Sequence, residues 1–141
     1  MLAVRRETLR ADIREMRERM RSEHARPADG NFDLKHDRGG IADIEFLAQY
    51  WVLRWVREYP PLAEFADTIR HLESVGSAAL VDHRVIDLLV DAYRRYREAA
   101  HHLSLEQRQA LVEGAEFDAL RAGVAAVWER VMVAGAEPLP V

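Results

Sequence analysis

The sequence predicts an all-α protein, a bundle of five or six helices in one domain over residues 1–141. Three observations carry this. Apolar residues recur at three- and four-residue steps in several separate segments. Proline and glycine clusters punctuate those segments. No stretch sustains the period-two alternation of a half-buried strand. At 141 residues the chain can bury a core without a disulfide or structural metal, and it contains no cysteine, which fits a reducing compartment.

Each element follows from the pattern. Leu2 to about His24 reads as a first helix, with Leu2, Leu9, Ile13, Met16 and Met20 at helical spacing and interleaved acids and arginines as its solvated face. Residues 25–40 have loop composition, with Pro27, Gly30, Gly39 and Gly40. A connector this long inside a compact domain is usually functional or disordered. Ile41 to Glu58 is the second helix, with Ile44, Leu47, Trp51 and Trp55 on one stripe, stopped by Pro60 and Pro61. A third helix starts near Pro61, buries Leu62, Phe65, Ile69 and Leu72, and stops near Gly76. A short helical turn covers Ser77 to Val81. A long helix from about His83 to Leu103 places Ile86, Leu89, Tyr93, Tyr96, Ala100 and Leu103 at bundle-core spacing. Phe117, Leu120, Val124, Val127 and Val131 mark the last helix, and residues 134–141 read as a disordered tail.

The net charge of −4 gives no reason to expect nucleic acid or an anionic membrane as partner. No apolar run approaches the ~20 residues of a membrane span, and the N-terminus lacks a signal-peptide core. Neither cysteine nor histidine spacing suggests a metal site. The stretch FDLKHDRGGIADIEFLAQY, Phe32 to Tyr50, stands out. It holds Lys35, the sole lysine among the basic residues, then Gly39 and Gly40 at a helix start, then Asp43 and Glu45. A helix opening after two glycines offers its first N–H groups to an anion, and a nearby lysine adds a point charge. Asp43 and Glu45 lie roughly 200° apart around a helix, so they do not pair on one metal. Asp43 in the first turn also suits the helix dipole. Arg97 and His101 share a face of the long helix at i,i+4.

The Lys35, Gly39-Gly40-Ile41, Ile44-Glu45-Phe46 pattern closely resembles a segment of the bacterial glutamine synthetase adenylyltransferase family. AYRRYREAAHHLSL, with Tyr93, Arg97, His101 and Leu103, resembles a Tyr–Arg–His helix of the same enzymes. The resemblance implies a helical domain that follows a nucleotidyltransferase domain. Asp43, where the other half of these two-part enzymes typically carries an arginine–glutamate pair, implies the C-terminal, adenylylating half. It implies ATP and Mg2+ as cofactors of the full-length enzyme, a cytoplasmic setting, and the catalytic domain of the same chain, glutamine synthetase and the PII signal protein as partners. The catalytic Gly-Ser and Asp-x-Asp pattern of the family is not in this sequence. No catalytic residue is therefore expected here, and the chain alone is expected to be inactive, part of a longer polypeptide with Met1 an introduced start. Lys35, Gly39, Gly40, Asp43 and Glu45 are expected to bind the nucleotide or close its pocket. Tyr93, Arg97 and His101 are expected to be structural or to face an interface. The alternative is a non-catalytic module that docks glutamine synthetase or the PII protein.

Overall fold

A computed structural model describes residues 6–25 and 29–135. The expected helical start at Leu2, the loop residue Pro27 and most of the expected tail, residues 136–141, lie outside these residues. The architecture is all-α, as the sequence predicts. Five helices form the body: α1 Arg6–Glu23, α2 Ile41–Trp55, α3 Thr68–Ser77, α4 His83–Leu105 and α5 Asp118–Trp128.

Helix α2 is the centre, packed against all four others. Its buried residues occupy more than one face: Ile41, Ala42, Ile44, Leu47, Ala48, Tyr50 and Trp51. Burial on more than one face is what a helix with several neighbours requires, and Gln49 and Leu53 mark the face left to solvent. Trp51 is wholly buried, whereas Trp55, expected on the same stripe, lies half-buried at the rim with the Arg54 guanidinium 5.3 Å from its ring centroid. In α1, Leu9 and Ile13 face the core but Met16 is exposed. The inner position one turn on is taken by Arg17 instead, which is 1% exposed.

The third helix does not run continuously from Pro61. A 3-10 turn, Pro60–Ala63, buries Leu62, and the chain bends before α3 restarts at an Asp67 cap, whose carboxylate accepts from the Arg70 N–H at 3.0 Å. Phe65, expected in the core, falls in that bend and is exposed beneath the Arg70 guanidinium. The expected helical turn over Ser77 to Val81 is not there: Ser77 is the last residue of α3, and residues 78–81 form a turn in which Ala79 takes φ 57° and ends the helix. Helix α4 begins at a second cap, Asp82, which accepts from the Arg84 N–H at 2.9 Å and whose carboxyl is held at about 2, mainly by the Arg84 side chain. After α5 the chain continues as a π turn, Glu129–Val133, that buries Val131 and Met132; Arg14 donates to the Met132 carbonyl at 3.0 Å.

One feature is absent from the sequence reading. Asn31–Asp33 (β1) and Leu111–Glu113 (β2) form an antiparallel ribbon, Phe32 opposite Val112. The Leu34 N–H extends it to the Ala110 carbonyl at 2.9 Å. Three-residue strands are too short to show alternation. Phe32 and Leu34 are fully buried, and the Phe32 ring meets Tyr96 edge-on at 5.5 Å, as Tyr96 in turn meets Phe117. The loop before α2 is therefore anchored in the core.

Replacing the buried indole in Trp51→Ala is expected to lower the unfolding free energy by about 3–5 kcal/mol, with Trp55→Ala clearly milder because half of that ring already faces solvent. Urea unfolding of both variants checks this. Equal losses would contradict the placement of α2 at the centre.

Candidate functional site

The loop before α2 is held by its own side chains first. Asp33 Oδ1 accepts from the N–H groups of Lys35 at 2.9 Å and His36 at 3.2 Å, a local carboxylate turn. Asp37 Oδ2 accepts from the Asp33 N–H at 2.9 Å. His36 stacks on His24, just past the end of α1, ring centroids 3.7 Å apart, and burial lowers its imidazole pKa.

Two glycines then bring the chain into α2. Gly39 has φ +77°, and a Cβ there would stand 2.4 Å from the Arg121 carbonyl oxygen. A Cβ on Gly40 would stand 2.7 Å from the Leu34 carbonyl oxygen. Glycine is required at both by close backbone approach, and at Gly39 also by the left-handed backbone.

The first amides of α2 are expected, from the sequence, to be open to an anion. Four successive N–H groups are instead used by the chain itself. Gly39 donates to Asp43 Oδ2 at 2.8 Å, Gly40 to the Asp37 carbonyl at 3.0 Å, Ile41 to the Leu34 carbonyl at 2.8 Å and Ala42 to the Lys35 carbonyl at 3.0 Å. At the start of α2 the cap Gly40 and the first two residues, Ile41 and Ala42, thus spend their N–H groups within the chain. An anion meeting this edge meets side chains, and Lys35 is exposed there.

Asp43 is 3% exposed. Besides the Gly39 amide it accepts from Arg17 Nε at 2.7 Å. Arg17 in turn donates from Nη2 to the His36 carbonyl at 2.8 Å and, at 3.5 Å, to that of Asp37. One buried ion pair thus joins α1, the loop and α2. The dipole role expected of a first-turn carboxylate is secondary to it.

Glu45 points elsewhere, as the helical geometry requires. It is half-buried and accepts from the Tyr93 hydroxyl of α4 at 3.3 Å. Burial raises the Tyr93 pKa against the opposing effect of a hydrogen bond to Thr68. The Arg97 guanidinium lies 6.0 Å from the Tyr93 ring centroid. Glu45 and Tyr93 therefore join α2 to α4, and Arg97 lies against the Tyr93 ring within α4. His101, one turn beyond, is exposed, its ring tilted against His102 at 6.5 Å.

Arg17 and Arg121 both bond to the loop backbone, and sequence reasoning missed them. Arg17 had a readable signal, since Leu9, Ile13 and Arg17 step by four along one face. Arg121 had none. No three His, Asp or Glu side chains among the described residues converge to hold a metal, and no described helix is long and apolar enough to cross a membrane.

Fold and site together define an all-α domain whose loop before α2 is held by backbone hydrogen bonds and a buried ion pair. Residues 7–126 match the family described as GlnD PII-uridylyltransferase, and the chain belongs to that family. It is 46% identical over 92% of its length to the bifunctional glutamine synthetase adenylyltransferase/adenylyl-removing enzyme of Thioalkalivibrio sulfidiphilus, covering 13% of that enzyme. The enzymes of the same description from Nitrosococcus oceani and Pseudomonas aeruginosa are 45% and 41% identical over 88% and 89% of the chain, which covers 13% and 14% of them. These relatives bear out the resemblance carried by Lys35 to Phe46.

Removing one member of a buried ion pair strands the other. Asp43→Ala and Arg17→Met are each expected to cost about 3–5 kcal/mol. The double variant is expected to lose less than the sum of the two, by about 0.5–3 kcal/mol. A double-mutant cycle by denaturant unfolding measures this, and strict additivity would mean the two residues act separately.

Proposed function

We propose that this chain is the helical domain that follows the catalytic domain in the adenylylating half of a glutamine synthetase adenylyltransferase, and that Lys35 to Glu45 close the nucleotide site from the helical side. One observation carries the reading: the loop is clamped along its length, yet the Lys35 side chain at its edge is exposed. A surface connector needs no buried arginine and no filled amide set. A rigid loop presenting one ammonium suits contact with a polyanion such as the ATP phosphates. The assignment to these enzymes is supported by the relatives, of which the chain spans about 13%.

Among the described residues no three His, Asp or Glu side chains converge, and in the loop Asp33, Asp37 and Asp43 accept from backbone amides and Arg17. Metal chemistry belongs to the catalytic domain in this reading, and the helical domain supplies position and charge. ATP, magnesium and a cytoplasmic setting come with the full-length enzyme. Within the contact surface, Glu45 and Tyr93 join α2 to α4, and Arg97 and His101 border the same helix face.

A second reading makes the domain a docking module for glutamine synthetase or the PII signal protein. It is favoured by a groove of about 1180 Å³ between the C-terminal half of α4 and β2, with Leu103, Val112 and Phe117 in its lining and Arg95, Glu98 and Glu113 around them.

The two readings separate at Lys35. In the full-length enzyme Lys35→Ala is expected to lower kcat/KM for adenylylation about ten- to a hundredfold, the worth of one charge-assisted hydrogen bond. Arg in its place is expected to rescue only in part. Thermal stability of this chain is expected to stay unchanged, because the side chain is exposed. Normal kinetics for Lys35→Ala would remove the phosphate-contact role and leave the docking reading.

A further inference from the structure

Arg121 of helix α5 reaches the loop. Its Nε donates to the Arg38 carbonyl at 2.9 Å. Its Nη2 lies 3.7 Å from Asp37 Oδ2. Its guanidinium sits 4.5 Å from the Phe32 ring centroid, and its own carbonyl occupies the space a Gly39 side chain would need. Arg17 holds the neighbouring carbonyls, His36 and Asp37, from the opposite end of the sequence.

We propose that Arg121 is a positioning residue: with Arg17 it forms a two-arginine clamp that holds residues 36–39 and so fixes where Lys35 stands. The inference rests on the proposed role of Lys35. Its logic is geometric. The two arginines differ in burial, Arg17 being 1% exposed at its side chain and Arg121 34%. Arg17 therefore bears on folding itself. Arg121 sits at the surface, so its loss loosens the loop without emptying the core. Two planar donors on consecutive carbonyls leave the segment little freedom, which is how a loop contact is pre-organised for a bound anion. The stack on Phe32 ties the clamp to the β1–β2 ribbon, so α5 registers the loop against the core.

The test uses the full-length enzyme and two readouts. In the first, hydrogen exchange of the Gly39 and Gly40 amides is compared between wild type and Arg121→Met. The clamp predicts exchange faster by about tenfold or more at these amides, with α4 amides unchanged. In the second, adenylylation kinetics are measured for Arg121→Met, Lys35→Ala and the double variant. The proposal predicts about a tenfold loss in kcat/KM for Arg121→Met, partial recovery with Arg121→Lys, and no further loss when Arg121→Met is added to Lys35→Ala. Losses that multiply in the double variant would overturn the positioning role, as would unchanged exchange at Gly39 and Gly40. An active Lys35→Ala enzyme would instead overturn the pocket reading, with the exchange experiment still deciding the clamp. If Arg121→Met disturbs folding, Arg121→Gln, which keeps one donor, carries the same comparison.

Discussion

The contact between Arg17 and Asp43 is the constraint on which the rest of the site depends. Two ions at 2.7 Å, both nearly sealed from water, are costly to bury and are retained only where further hydrogen bonds satisfy them. Here those bonds are to the loop: the Gly39 amide on the carboxylate and the His36 carbonyl on the guanidinium. The pair cannot form unless residues 36–39 take one conformation, and the loop has no comparable hold on α1 without the pair. Stability and loop geometry are thus one property.

The consequences run outward. Because the loop turns back onto the first turn of α2, its carbonyls at Leu34, Lys35 and Asp37 fill the amides at Ile41, Ala42 and Gly40. Because the backbones of Leu34 and Arg121 then approach within van der Waals distance, residues 39 and 40 have room only for hydrogen. The Gly-Gly pair therefore serves close packing first. What remains for a partner is the exposed outer edge, where Lys35 stands, and the α2–α4 contact through Glu45 and Tyr93. The N–H groups of residues 39–42 are spent within the chain.

Much of this was legible in the sequence and the remainder was hidden for definite reasons. Helix number, the loop and the start of α2 follow from apolar spacing and from Gly39 and Gly40, whereas the central place of α2 does not. The divergence of Asp43 and Glu45 follows from helix geometry alone. Arg17 was missed although it continues the Leu9–Ile13 face, because an arginine within an arginine-rich helix reads as solvated until its partner 26 residues on is known. The ribbon was hidden because three residues carry no period. Trp55 and Phe65 were misplaced because periodicity locates a stripe but not where it runs out: one lies at the rim and the other in the bend before Asp67. The filled amides were hidden because their acceptors are backbone carbonyls, which every residue has.

The central claim is that Arg17 holds the loop through a sealed ion pair. Side-chain NMR of the Arg17 Nε–H tests it most directly. The account predicts a resolved resonance that exchanges with water far more slowly than those of exposed arginines such as Arg94 and Arg95, and that is correlated through space with the Gly39 amide. Exchange as fast as at those surface arginines would mean the pair is open in solution, and the loop would then need another explanation for its shape.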